Sequence, residues 1–536
     1  MLCLKMSAPS PTPVQSSKFA RQPEPITLLS SLWRSTWMRA ILTFLLLLVA
    51  FLAVFYPEEN WRGKRALEIY RRHLAAKGVV FDWRALAPEP VSDTEDLCKT
   101  AFFAPLFDYM PGTYTPRDLK AYNRVAGFAQ TGAPYSEARR SSEEVPPMFQ
   151  GRNLNLADGL RLFQKTKGTT NSESQSSNDR RADAVALLGE LNEFQSGLAE
   201  IQAEFERPNV RFNLGYKEEY TWRVSQPHLP LLKRVSRLLA WRASAELAVQ
   251  NPAAAADDVL LILAMAQTIG REPLVSSFLA RNVMLDDARQ IIWEGLAAHD
   301  WSDAQLKSFE AQLQGFTLQP AQTQMALERA SINSYFEMVH KDPGIRKGWN
   351  FGTSLGGRAR GFTLRHMPPG WMYLEQISYH RMFDAFVLPA DNAATGCLRP
   401  HLIDQAANPA FPLWGHRLFA SPVLNSSAFI LTRVALSQTG VNEALLACAL
   451  ERYRLANDKF PERLDDLGPS CLNTIPNDVV TGNPMKYRRT AEGKFVLYSF
   501  GRNEKDDGGK PALNPQTKAP DWMQGDWVWP SYPEEP

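Results

Sequence analysis

Residues 231–270, LLKRVSRLLAWRASAELAVQNPAAAADDVLLILAMAQTIG, decide the fold class. Leu231–Gln250 repeats apolar residues at helical spacing, with Arg and Glu between them, and reads as one helix. Asn251 offers a side-chain oxygen to the first free amides of a second helix. Pro252 suits its first turn, where a missing N–H removes no hydrogen bond. Ala253–Gly270 is then the returning helix. Two antiparallel helices with alanines at their contact predict a mostly α fold.

The same period extends both ways. Ala184, Leu187, Leu188, Leu191, Phe194, Leu198, Ile201 and Phe205 form one apolar stripe that Pro208 ends. Glu272–Ala298 reads as a further helix. Ser302 and Gln305 make a capping box for the next, and Ala321–Lys341 is the last of the array. We therefore expect a helical domain over residues 183–341. Its Asn-Pro hairpin resembles tetratricopeptide-like hairpins, although the family's period of roughly 34 residues is not kept.

Toward the amino end, Ala40–Tyr56 (AILTFLLLLVAFLAVFY) carries no charge, and Pro57 is expected to end it. That is about the shortest run that spans a bilayer as a helix. A core helix seldom lacks a polar face over four turns. The small-x-small site of a cleaved signal peptide is poor, because Phe51 stands two residues before Ala53. An uncleaved signal anchor over 38–57 is expected, with 1–37 as a disordered cytoplasmic tail. The bulk of the chain then lies on the periplasmic side of a bacterial inner membrane. Arg62, Lys64, Arg65, Arg71 and Arg72 outnumber the charges before the span, but the positive-inside bias weakens for long translocated domains.

Between anchor and array, 58–182 begins with a helix, Glu58–Lys77. Leu67, Tyr70 and Leu74 share its face and Gly78 caps it. Proline-rich, aromatic-packed irregular structure follows to about 150, then a flexible loop at 166–179. After the array, 342–426 opens with a glycine-rich loop holding Arg346, Lys347, Arg358, Arg360 and Arg365 among aromatics. This reads either as a solvated surface or as a site for anionic polymer or lipid head groups. A helix, Trp371–Leu388, and an irregular connection, 392–424, complete it. Cys98, Cys397, Cys448 and Cys471 follow the span. They allow two disulfides in three pairings, or four buried thiols.

The last segment, 427–536, reads as a small α+β module. Phe429–Leu455 is a long helix, and Pro461 opens a short one through Leu467. Met485–Thr490 and Lys494–Phe500 flank Ala491-Glu492-Gly493 as a hairpin. Three places resemble the head of the type II secretion major pseudopilins. Leu450, Tyr453, Arg454 and Phe460-Pro461 match the family's helix exit. Ile475-Pro476, Asp478, Gly482 and Pro484 match a turn segment, with Asp-Val where the family has Asp-Pro. Leu497-Tyr498-Ser499-Phe500-Gly501 matches the strand that leads into an acidic loop.

The resemblance implies an extracytoplasmic α+β head and calcium in that loop. Calcium takes six to eight oxygens, and Asn503, Asp506, Asp507, Asp521 and Asp526 are the candidate ligands. Nearly all of the intervening chain separates span from module, so a borrowed head is expected rather than a pilus subunit. Trp522, Trp527 and Trp529 are expected to pack the module's edge.

No recognised catalytic motif is present. The eight histidines fall in no ligand spacing, and there is no nucleophile elbow, P-loop or dinucleotide fingerprint. Asp257-Asp258 and Asp286-Asp287 read as solvated helix faces. A net charge of +2, from 59 basic and 57 acidic residues, argues against a dedicated nucleic-acid binder. The expected function is a membrane-anchored extracytoplasmic scaffold with protein partners in the cell envelope. The alternatives are an accessory of a type II secretion or pilus-like system, or an envelope enzyme with a spatially assembled site.

Overall fold

The computed structural model describes residues 36–128, 151–166, 179–317, 319–349, 352–392, 396–407, 416–516 and 520–529. All of the expected tail at 1–37 except Thr36 and Trp37, and most of the loop at 166–179, lie outside them. The chain divides after Arg62.

The described part of the N-terminal unit is helical and belongs to α1, Thr36–Ala76. Its most apolar eighteen-residue window has a mean hydropathy of 2.6 and none of it is buried. This is the length and composition of a membrane-crossing helix. Pro57 does not end the helix, contrary to the sequence reading. A proline costs one rung of the ladder, and α1 has whole turns on both sides to carry that loss.

Within the larger unit, the last turns of α1 bury Leu67 and Leu74. The chain leaves through Gly78 at φ +80°, whose amide bonds to Ala75 O at 2.9 Å. Gly63 approaches Gly370 so closely that a Cβ would sit 2.2 Å from its carbonyl oxygen.

Aromatic-packed 3₁₀ turns lead to α2 (Leu119–Phe128) and α3 (Leu156–Thr166). The expected stripe is split into α4 (Arg180–Leu191) and α5 (Gln195–Phe205) by a 3₁₀ turn at Asn192–Phe194. Its residues still face inward, Leu188 being half-buried. The array continues as α6 (His228–Ala248), α7 (Pro252–Ile269), α8 (Val275–Ala298), α9 (Asp303–Gln314) and α10 (Gln319–Lys341). Helices α6, α7 and α8 pack pairwise on one another. Both expected caps form: Asn251 accepts from Ala254 N, and Ser302 and Gln305 cap α9 reciprocally. Helix α7 is also apolar enough to cross a membrane, but 61% of its apolar window is buried in the protein interior.

Beyond α10 the protein is more regular than the sequence suggests. The basic segment holds a 3₁₀ turn, Pro343–Gly348, and α11, Leu355–His366. Helix α12 (Pro369–Met382) runs on through a π turn, Phe383–Val387, to Ala390. The expected irregular connection contains the two-residue strands β1 (Asp391–Asn392) and β2 (Cys397–Leu398) and α13 (His401–Ala407). Helix α14 then starts at Ala420, not Phe429, and reaches Asn457. The early start has a tertiary cause. The Glu375 carboxylate, from α12, accepts the amides of Leu418, Phe419 and Ala420 at 2.8–3.0 Å. These amides have no partner inside α14.

Two apolar cores result. One gathers α4–α9 and the second half of α14, including Val441, Leu446 and Leu450. The other gathers α10, α12 and the first half of α14, including Phe336, Tyr379 and Leu431. The module closes against α14. Strands β3 (Lys486–Arg489) and β4 (Phe495–Ser499) form the expected hairpin, with Tyr487 opposite Leu497. Strand β7 (Trp527–Trp529) pairs antiparallel with β4, while β5 (Pro511–Leu513) and β6 (Pro520–Gly525) make a separate ribbon. Trp529 lies in the first core and Trp527 in the second. No disulfide joins Cys98, Cys397, Cys448 and Cys471 among the described residues, and Cys448 is fully buried.

Candidate functional site

The module is organised by buried carboxylates. At the end of α14, Asp458 turns the chain with φ +56°. Phe460 then meets Phe495 edge to face at 5.0 Å. Next comes Asp478, only 3% exposed. Its side chain accepts from Val480 N (2.9 Å), the Thr481 hydroxyl (3.0 Å), the Ser499 hydroxyl (2.7 Å) and Phe500 N (3.4 Å). Its carbonyl accepts the amide of Gly482, which sits at φ +76°. Ser499 Oγ in turn accepts from Gly501 N at 3.1 Å. Two stretches singled out in the sequence, 475–484 and 497–501, thus meet at the Asp478 carboxylate, which accepts from both Ser499 and Phe500.

The acidic loop follows directly. Asp526, 2% exposed, accepts the amides of Asp507 (3.1 Å) and Gly509 (2.7 Å). Burial raises the Asp526 carboxyl above its ordinary range, and those amides oppose the rise. Asp506 accepts from the Tyr498 hydroxyl at 2.9 Å and from Gly508 N at 3.0 Å. The Asn503 amide donates to Asp507 at 3.1 Å. Three of the five sequence candidates, Asn503, Asp507 and Asp526, therefore lie in one bonded network, and Asp506 holds the adjoining turn. Asp521 shares none of these bonds and accepts from Met523 N on β6 at 3.0 Å. Among the described residues, no three His, Cys, Asp or Glu side chains are grouped as a metal cage. The oxygens of the loop instead take backbone amides, the chemistry of a turn held in shape from within.

The helical array holds polar groups that the sequence reading misplaced. Asp258 and Asp287 are buried, at 2% and 0% exposure, not solvated. Asp258 takes a bidentate pair from Arg242, with Nε at 2.9 Å. Asp287 takes Arg237 at 2.9 Å and the Ser236 hydroxyl at 2.7 Å. Burial pushes both carboxyls up to about 6, and their arginines restrain the rise. Glu294 gathers Arg180, Ser244, Gln290 and the amide of Leu154 at 2.6–2.9 Å. Glu443 on α14 is 2% exposed, stands 3.7 Å from Arg289, and is pushed up to about 8 by burial.

The signal that could have exposed these pairs is small. A charge at i, i+3 or i+4 within an apolar stripe reads as buried only once the opposite helix is known. Of the basic residues in the glycine-rich segment, Arg346 is buried and donates to the carbonyls of Leu364 and Met367. It serves structure, not a surface. Comparison of the chain with protein-family models, curated proteins and solved structures gives no match.

Proposed function

We propose that this chain is a membrane-anchored scaffold whose C-terminal module, 427–536, docks a protein partner in the bacterial cell envelope. The observation that carries the reading is the double role of α14. One 38-residue helix is a wall of both apolar cores and the floor beneath β4 and β7. The module is thereby held rigidly while its loop side, with Lys505 and Lys510, stays exposed. Such mounting suits presentation of a surface, because a preformed surface loses little entropy on binding.

The resemblance to the pseudopilin head supports a docking role for the module. Its matched segments converge on Asp478 and Ser499, so the motif residues act together in shaping the loop. On this reading calcium would act at Asp506, Asp507 and Asp526 by taking over carboxylate oxygens now held by amides.

The test is photo-crosslinking in intact membranes. A crosslinker at Lys505 is expected to give a discrete adduct that a crosslinker at exposed Lys217 does not give. The same adduct pattern from both positions, or none, defeats the docking reading. Protease added to spheroplasts is expected to degrade the part beyond residue 62. If that fragment survives, the periplasmic placement is wrong.

A further inference from the structure

Among the described residues five arginines are buried: Arg281, Arg289, Arg329, Arg346 and Arg452. Four of them are compensated. Arg289, Arg329 and Arg452 meet carboxylates at 3.1, 2.9 and 2.6 Å, and Arg346 is held by main-chain carbonyls. Arg281, on α8, is the exception. It is 7% exposed, and its Nε is sealed from solvent without a hydrogen-bond partner. The guanidinium carbon lies 4.9 Å from the Phe316 ring centroid, and the side chain rests against Gly270. No described carboxylate pairs with it, and the adjoining stretch 318–323 contains no Asp or Glu. Burial alone lowers its proton affinity, to about 10, with no anion to restore it. A buried cation without a counter-charge is one of the costlier arrangements in a folded protein.

Arg281 does not sit in solid packing. It lines a recess between α8, α14 and the start of α10, with Phe278, Thr317, Gln324, Ser437 and Gln438. The recess is small and part of it is open to solvent. The amides of Gln438 and Gln324 are already used, on Phe316 O at 3.0 Å and Pro273 O at 3.2 Å. Exposed Thr317 and half-buried Ser437 bring two further hydroxyls to the same recess.

We infer that this recess is a binding site for a small oxyanion, a carboxylate or phosphate group, with Arg281 as its cationic anchor and Ser437 and Thr317 as hydroxyl donors. A planar fork of N–H donors with adjacent hydroxyls matches the geometry of both anions. The space is well below that of a drug-sized ligand site, which limits the ligand to one compact group.

The test uses the full chain in detergent. Thermal unfolding is followed while inorganic phosphate or acetate replaces chloride at constant ionic strength. The wild-type midpoint is expected to rise saturably with one of the two anions. A response to phosphate alone assigns a phosphate ligand, and a response to acetate alone a carboxylate. Arg281→Met is expected to abolish the rise and, without the anion, to unfold no earlier than wild type, since it removes an unpaired charge. Ser437→Ala is expected to keep the fold and weaken the half-saturation concentration about tenfold, the worth of one hydrogen bond to a charged group. If Arg281→Met does not fold, Ser437→Ala decides. No saturable rise in the wild type, or an equal rise in Arg281→Met or Ser437→Ala, overturns the site.

Discussion

The helical array and the C-terminal module both bury carboxylates, yet satisfy them in opposite ways. In the array, Asp258 and Asp287 are met by the guanidinium groups of Arg242 and Arg237. In the module, Asp478 and Asp526 are met by main-chain amides and hydroxyls. The difference follows from where free N–H groups exist. Inside a helix every amide is spent on the carbonyl one turn back, so a buried acid there needs a side-chain donor. In turns and at strand ends the amides are unspent, and a carboxylate can collect several without a cation. Glu375 confirms the rule from within the helical part. It collects three amides because it sits at the start of α14, where a helix leaves its amides free.

Substitutions break this contrast in graded ways. The largest effect is expected for Glu375→Ala. It strands three buried donors at once and should cost about 4 kcal/mol, at roughly 1–3 per buried unsatisfied group with some relaxation. Denaturant unfolding of the purified chain measures it, and a loss below about 1 kcal/mol would mean that α14 does not need this cap. Next is Arg237→Met, which leaves Asp287 buried without its cation, at about 3 kcal/mol. Asp478→Asn should cost less, about 1–2 kcal/mol. An amide oxygen still accepts from Val480 and Ser499, and no opposite charge is left alone. Equal losses in these last two variants would refute the distinction between the regions.

The smallest effect at low pH belongs to Glu443→Gln. The folded-state carboxyl of Glu443 is raised to about 8, far above its unfolded range. Between roughly pH 4.5 and 8 the folded form therefore holds a proton that the unfolded form has lost. Wild-type stability declines across that window as pH rises, and the glutamine variant lacks this contribution. The variant should match wild type near pH 4.5 and gain on it by about 1 kcal/mol per pH unit at most. A constant difference across the window would show that Glu443 titrates normally.

What was legible in the chain follows the same division. The Asn251–Pro252 joint, the Ser302–Gln305 box, the hairpin around Ala491-Glu492-Gly493 and the helical apolar run after Ala40 are local signals, and each forms as read. Trp527 and Trp529 are buried along β7, as expected for residues packing the module's edge. The convergence of 475–484 with 497–501 was legible only as two separate motifs.

Where the reading failed, the deciding group lay far away in sequence. Pro57 does not stop α1, because a long helix tolerates one missing bond. Helix α14 starts earlier than its local pattern predicts, because its cap comes from Glu375 on another helix. Asp258 and Asp287 are buried rather than solvated, because a helix cannot announce that its polar side faces an arginine across an interface.

By itself the sequence determined a predominantly helical chain with an amino-terminal apolar helix and a small strand-bearing end. Those properties depend on periodicity, capping and composition within a few turns. Tertiary structure alone decided which charges are buried, what compensates each of them, and that Arg281 has no counter-ion among the described residues. Burial and pairing depend on contacts between segments that no local pattern connects.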